Sequence, residues 1–296
     1  MNNKLTVTPV TGMTGGESFL VTSDGSAVLV ETGYSCSSGL LEENIRKALD
    51  GRPLDYILLT HSHYDHAGGT PRIKAAWPDA KVVATVACAN VFTRPGALNA
   101  MREMEINAAE VNGFTDPGPD MTSKLAVDIT CTDGDVIRTG DLSIRVVYAP
   151  GHTRCCTSYL FEEDSLMVAT ESTGIDVDGE IQPTFMVSYK DALDTIDSLE
   201  RIAPKYILLP HFRILNENES ERFPAKAKKA AIECADFVMS RHEAGLSLDD
   251  IFGQFVEHYY NEHINTLTLR YPLAAFVTNM KVMIPRLIAE LTTGKI

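Results

Sequence analysis

No run of about 18 apolar residues occurs in this 296-residue chain, so no transmembrane helix is expected. The first residues, MNNKLTVTPVTGMTGG, lack the apolar stretch of a signal peptide, and the protein is expected in the cytoplasm. Basic side chains are scarce, 26 against 40 acidic, for a net charge of -14. That balance argues against a sequence-independent nucleic-acid binder, which needs a basic face for phosphates, and against docking on anionic lipid. Cysteines number only six, and none stands in a CxxC pair. Without a secretion signal a disulfide framework is not expected, and the adjacent Cys155 and Cys156 read as buried thiols. Charged residues at 22% and ordinary glycine and proline counts exclude disorder, collagen and low complexity. No repeat at solenoid periods is visible. What is present is 44% hydrophobic residues on a chain long enough for a large core and one or two domains.

The first half alternates strand and helix signals. ESFLVT and AVLVET flank Ser23-Asp24-Gly25-Ser26 and predict a hairpin. Leu40, Leu41, Ile45, Ala48 and Leu49 have helical spacing. Tyr56–Leu59 is a continuous apolar run, the mark of a strand buried on both faces. A short helix over Arg72–Trp77 and a strand over 81–86 follow. Residues 89–111 read as helix broken at Pro95-Gly96, then a Pro/Gly loop at 116–120. Strand signals return at 126–131, 142–149, 157–162 and 165–170. Ser188 caps a helix expected over 188–202, and 205–209 is another buried strand. Beyond about residue 217 the strand signals stop. A helix is expected over Pro224–Arg241, another over Ile251–Tyr260 after a capping box at Ser247, and a last one starting at Pro272 and kinked at Pro285. The expected organisation is a sheet domain over 1–217, with a helical insertion at about 88–125, and an all-helical extension over 218–296.

Chemistry concentrates in Thr60-His61-Ser62-His63-Tyr64-Asp65-His66, immediately after the strand 56–59. Imidazole and carboxylate are ligands that suit zinc, iron and manganese. His61 and His63, two apart on extended chain, project to one side. Asp65 and His66 follow as the chain turns into a helix at Gly68-Gly69. So many titratable groups in one stretch are costly without a metal or a network. Tyr64 either lines a pocket or fills a spacer position. Glu31 either orients a metal-bound imidazole or caps the next turn. His242, His258 and His263 fall in the helical extension and read as structural or solvent-facing.

The stretch resembles the HxHxDH signature of the metallo-β-lactamase-fold hydrolase superfamily. Pro150-Gly151-His152-Thr153 is similar to that family's third motif, His211 at the end of strand 205–209 to its last histidine, and VLVETG at 28–33 to its early strand. The resemblance covers roughly residues 5–215. It implies an α/β fold, the four-layer αββα sandwich, here followed by the all-helical extension. It also implies two divalent metal ions, zinc first with iron or manganese as alternatives. His61, His63 and His152 would hold one, and Asp65, His66 and His211 the other. The bridging carboxylate would be Glu171, standing where the family carries Asp; its extra methylene favours asymmetric occupancy. Asp65 would also orient or deprotonate the nucleophile.

A metal of this kind supplies hydroxide at neutral pH and polarises a carbonyl or phosphoryl oxygen, so the reaction expected is hydrolysis of an ester-like bond. A thioester, a lactone, an amide or a phosphodiester is such a bond, and the motif does not choose among them; the substrate expected is a thioester, a lactone or a related small-molecule ester. Helical extensions of this kind resemble those of glyoxalase II-like and quinolone-signal response members. Nuclease members are disfavoured by the charge, and diiron oxygen-reducing members by His63 and the want of a flavin domain. Two alternatives stay open: a signalling or protein-interaction module retaining the metal site, and a mononuclear iron oxidoreductase. The partner expected is a small-molecule substrate, with neither nucleic acid nor membrane, and a homodimer is an option. The insertion is either a lid or an outer structural layer.

Overall fold

A computed structural model describes residues 4–211, 213–264 and 272–294. The chain falls into two compact units: residues 1–148 with 155–168, and residues 149–154 with 169–296.

In the first unit, β1 (Thr6–Pro9), β2 (Phe19–Thr22), β3 (Ala27–Val30), β4 (Tyr56–Leu58), β5 (Lys81–Thr85) and β6 (Ile129–Cys131) form one sheet in sequence order. The pairs among β1 to β3 are antiparallel, and those from β3 to β6 are parallel. The predicted hairpin is present, with Thr22 opposite Ala27. All four residues of β3 are buried, as its unbroken AVLV run requires. α1 (Ser38–Leu49) buries Leu41, Ile45 and Leu49, and α3 (Thr70–Ala76) buries Ile73. These side chains share a core with Leu29, Ile57 and Val82 of the sheet. Burial of each contributes about 1.5–3 kcal/mol.

A second, antiparallel sheet in this unit has the order β10 (Leu166–Val168), β9 (Thr157–Phe161), β8 (Leu142–Tyr148), β7 (Val136–Thr139). Tyr159 of β9 is fully buried and donates its phenol proton to the Leu59 carbonyl at 2.9 Å. The Thr157 N–H donates to the Thr60 carbonyl, also at 2.9 Å. The segment leading from β4 into His61 is thus held on two sides. The insertion folds as α4 (Val86–Val91) and α5 (Pro95–Val111), with Pro95 in the first turn of α5. Arg102 donates to the Gly118 carbonyl at 2.6 Å and closes the Pro/Gly loop onto α5.

The second unit holds the hairpin β11 (Ile175–Val177)–β12 (Glu180–Gln182), then α6 (Tyr189–Ile202), the antiparallel pair β13 (Tyr206–Leu208)–β14 (Ile214–Leu215), and α7 (Glu217–Glu243). α8 (Leu248–Phe255) continues into π-helical turns at Val256–Ile264, and α9 (Leu273–Thr293) closes the described chain. Ser188 caps α6, accepting the Asp191 N–H at 3.0 Å, and Ser247 caps α8. α7 starts earlier than its apolar pattern suggests. Asn216 and Glu219 form a capping box at its head, so Pro224 lies inside the helix. Pro272 precedes α9 instead of sitting in its first turn, and α9 runs on through Pro285. Among the described residues no strand follows β14, and no helix is long and apolar enough to cross a membrane. None of the six cysteines is in a disulfide, and Cys155 and Cys156 are buried.

Candidate metal centre

The parallel strands β3, β4 and β5 end at one sheet edge, the edge at which α/β sheets collect ligands. Glu31 follows β3 with φ 61°, a left-handed conformation uncommon outside glycine. Its buried carboxylate accepts the Thr60 N–H at 2.9 Å, and its second oxygen stands 3.7 Å from His66 Nδ1. His63 is the N-cap of α2 (Tyr64–Ala67), which therefore begins before Gly68-Gly69, not at those glycines. The His66 carbonyl accepts from the Thr32 N–H at 2.7 Å and the Thr32 hydroxyl at 2.9 Å. These restraints gather the motif. The ring centroids of His61 lie 4.6 Å from His63 and 4.2 Å from His66, and His66 Nε2 is 3.6 Å from Asp65 Oδ2. His61 and His66 are fully buried, while the Asp65 side chain keeps 17% exposure.

Tyr64 packs against the first unit's core and against Tyr34, with ring centroids 5.7 Å apart. Sequence reasoning missed Tyr34. Burial, then Asp65 and Tyr64, push its phenol pKa far up. A signal did exist: a Cβ on Gly16 would lie 2.6 Å from the Tyr34 ring, so Gly15-Gly16 is small where that ring passes.

In the second unit, His152, Glu171 and His211 come together. Gly151 has φ 135°, and the Gly151 carbonyl accepts from the Val187 and Ser188 N–H groups ahead of α6. The His152 N–H donates to the Ser172 hydroxyl at 3.0 Å. Glu171 opens a 3-10 turn, Glu171–Thr173, three residues beyond the end of β10, not at the strand's last position as expected. His152 Nε2 stands 2.5 Å from Glu171 Oε2, and His211 Nε2 stands 2.6 Å from Glu171 Oε1. Burial raises the Glu171 pKa, but the two imidazoles outweigh it and hold the carboxyl well below the usual carboxylate range.

The His152 ring is fixed from behind. Its Nδ1 lies 2.7 Å from the Thr184 carbonyl oxygen, and Thr184 in turn donates its hydroxyl to the Glu171 carbonyl at 2.7 Å. A carbonyl only accepts, so Nδ1 carries the proton. In a neutral ring Nε2 then presents a lone pair to a carboxylate oxygen. Positive charge must reconcile the two, as a second ring proton or as a metal ion. An imidazole whose other nitrogen donates to a carbonyl is the usual arrangement for a metal ligand. The donor set therefore fits a divalent transition metal.

His258 stacks on Phe237 at 5.1 Å, a packing role, and the side chain of His263 lies outside the described residues.

Residues 11–211, which include every candidate ligand, match the family model of the metallo-beta-lactamase superfamily. A hydroxyacylglutathione hydrolase of Rhodopseudomonas palustris (strain BisB5) is 30% identical over 124 residues, covering 42% of this chain and 35% of that protein. A lactamase-like protein, aptB, of Emericella nidulans is 30% identical over 155 residues, 52% of this chain and 38% of that one. The chain thus spans little more than a third of the length of these curated relatives. Among solved structures, an archaeal metallo-beta-lactamase superfamily protein from Sulfolobus tokodaii is similar with TM-score 0.60 and 18% identity, over 95% of this chain and 97% of that one. A metallo-beta-lactamase family protein from Thermus thermophilus gives 0.58 and 19%, over 80% and 82%. At such identities the likeness is one of fold. It is the fold that the motif resemblance implied, with α7, α8 and α9 following the sheets in sequence.

Proposed function

Because the chain belongs to the metallo-beta-lactamase superfamily, we propose that it is a metal-dependent hydrolase acting on an ester-like bond of a small molecule. The observation that carries this reading is the buried His152–Glu171–His211 cluster, with the His152 tautomer set by the Thr184 carbonyl. The reading assigns His61, His63 and His152 to one divalent metal ion and Asp65, His66 and His211 to a second. Glu171 serves both, and zinc is the first candidate, ahead of iron or manganese. Metals of this kind lower the pKa of water they bind toward ~7 and polarise a carbonyl oxygen. Asp65 is the carboxylate assigned to accept the proton of the attacking water. Its 17% side-chain exposure, against 1% for His66, supports that role. Glu31 keeps the His66 ring oriented, and Thr184 does the same for His152.

The curated relatives named hydroxyacylglutathione hydrolase put hydroxyacyl-glutathione at the head of the substrate panel, ahead of lactones and simple esters. The test is elemental analysis of protein expressed with zinc, iron and manganese, followed by turnover on that panel. At least one metal per chain and chelator-sensitive hydrolysis are expected. Absence of metal sinks the reading. Full metal occupancy without hydrolysis supports the interaction module instead, and oxygen consumption supports the iron oxidoreductase.

A further inference from the structure

His211 lies between β13 and β14. The Leu209 N–H donates to the Arg213 carbonyl, and the Arg213 N–H donates to the His211 carbonyl, both at 3.1 Å. A metal ligand must be held to about 0.2 Å. The Arg213 side chain adds two further ties. Its Nη2 donates to Asp176 Oδ2 at 2.9 Å, and its Nη1 donates to Glu219 Oε1 at 2.7 Å. Asp176 is 3% exposed, lies on β11 just beyond the Glu171 turn, and holds its own hairpin by accepting the Gly179 N–H at 2.8 Å. Glu219 is more exposed, with 38% of its side chain accessible, but is tied at both oxygens. Its other oxygen accepts the Asn216 N–H at 3.0 Å in the capping box at the head of α7. The guanidinium fork therefore bridges two anchored carboxylates on different elements while its own backbone grips the His211 carbonyl.

We propose that Arg213 is a positioning residue for His211, clamping the ligand's loop to β11 through Asp176 and to the first turn of the helical extension through Glu219. The inference rests on the reading of His211 as a metal ligand. It gives the extension a part in the site: the head of α7 is one jaw of the clamp. A planar guanidinium spans two carboxylates at fixed angles, which the compact ammonium of lysine does not.

The test uses the full-length chain loaded with zinc, with affinity measured by competition against a chromophoric chelator and thermal stability measured separately on metal-free protein. His211→Ala identifies the zinc held by His211. Arg213→Met should weaken that zinc tenfold or more, as loss of a ligand-orienting partner typically does. Arg213→Lys should fall between wild type and Arg213→Met, and Glu219→Gln should weaken the same zinc. The control is Lys228→Met, which removes the 2.6 Å ion pair between α7 and Asp197 of α6. It should leave zinc affinity unchanged, whatever the small effect of an exposed pair on thermal stability. If His211→Ala weakens a zinc and Arg213→Met binds it like wild type, the clamp is overturned. If His211→Ala itself binds zinc like wild type, the ligand reading fails instead. Should Arg213→Met not fold, wild-type zinc affinity in both Arg213→Lys and Glu219→Gln overturns the proposal.

Discussion

At Gly151 the chain turns into His152 under a constraint that only glycine meets. The φ of 135° is closed to other residues without strain, and a Cβ would fall 2.7 Å from Ala192 Cα, part of a helix backbone that cannot yield. Gly151→Ala is expected to cost about 1–3 kcal/mol from backbone strain alone and to weaken metal binding with it. Gly96→Ala, with nothing within 4 Å of the new Cβ, should be neutral or slightly stabilising. Paired denaturant melts and zinc titrations check both, and a Gly151→Ala protein as stable as wild type refutes the account. A second residue-scale test concerns Glu105, 2% exposed on α5, where a Cβ on Gly68 would lie 2.3 Å from its Oε1. Burial pushes its pKa up, and hydrogen bonds from Ser35 and the Arg102 charge offset this only in part. An acid whose folded pKa is raised is most compatible with the fold when protonated. The stability penalty grows as pH rises from the ordinary glutamate range through the raised value. Glu105→Gln should therefore be the more stable protein at pH 8, with the gap closing as pH falls toward that range. A gap that widens toward acid would contradict the burial argument. The candidate histidines and Asp65 stood out in the sequence because rare ligand types occur in one short, ordered pattern. Glu105, Tyr34 and Arg213 were not, since their meaning lies in partners far along the chain.

At the scale of elements, unbroken apolar runs marked β3 and β4 and a periodic one marked α1, because burial alone dictates both patterns, while the Ser188 cap marked the start of α6. The β11–β12 hairpin escaped notice although its turn was written in the sequence. Asp178 and Gly179 take φ values of 53° and 98°, the conformation for which an Asp-Gly pair is suited. β1 and β7 were missed for the opposite reason: none of their residues is fully buried, so neither carries an apolar run. The helices after residue 217 were legible as helices, but not how they are fastened. Glu290 of α9 does that for α6. Its carboxylate accepts from the Ser188 hydroxyl at 3.0 Å, the Tyr189 N–H at 2.7 Å and the Lys190 N–H at 2.9 Å. These N–H groups have no partner within the helix, and the carboxylate also meets the positive end of the helix dipole. Glu290→Ala is expected to lose about 1–2 kcal/mol, the scale of a strong helix cap. Glu290→Gln should lose less, since it keeps an acceptor. Chemical denaturation measures both, and equal stability of Glu290→Ala and wild type rules out the capping role.

Across the whole molecule, the candidate ligands are shared between the two compact units. His61, His63, Asp65 and His66 belong to one, and His152, Glu171 and His211 to the other. This division could not be read from composition, because the chain passes from the first unit to the second, back, and again to the second at residues 149, 155 and 169. The change from strand to helix near 217 lies inside the second unit. A ligand set spread from residue 61 to residue 211 has a thermodynamic consequence. An unfolded chain holds such groups far apart, so on the proposed reading a metal would bind the native state far more tightly than the unfolded one. Stability then rises with free metal as RT ln(1 + [metal]/Kd), about 4 kcal/mol at a thousandfold excess over Kd. Chelated protein should melt well below zinc-loaded protein, and the midpoint should climb with the logarithm of free zinc. His61→Ala and His152→Ala, each a candidate ligand, should each flatten that climb. If either variant keeps the full zinc dependence, the residue it replaces is not a metal ligand.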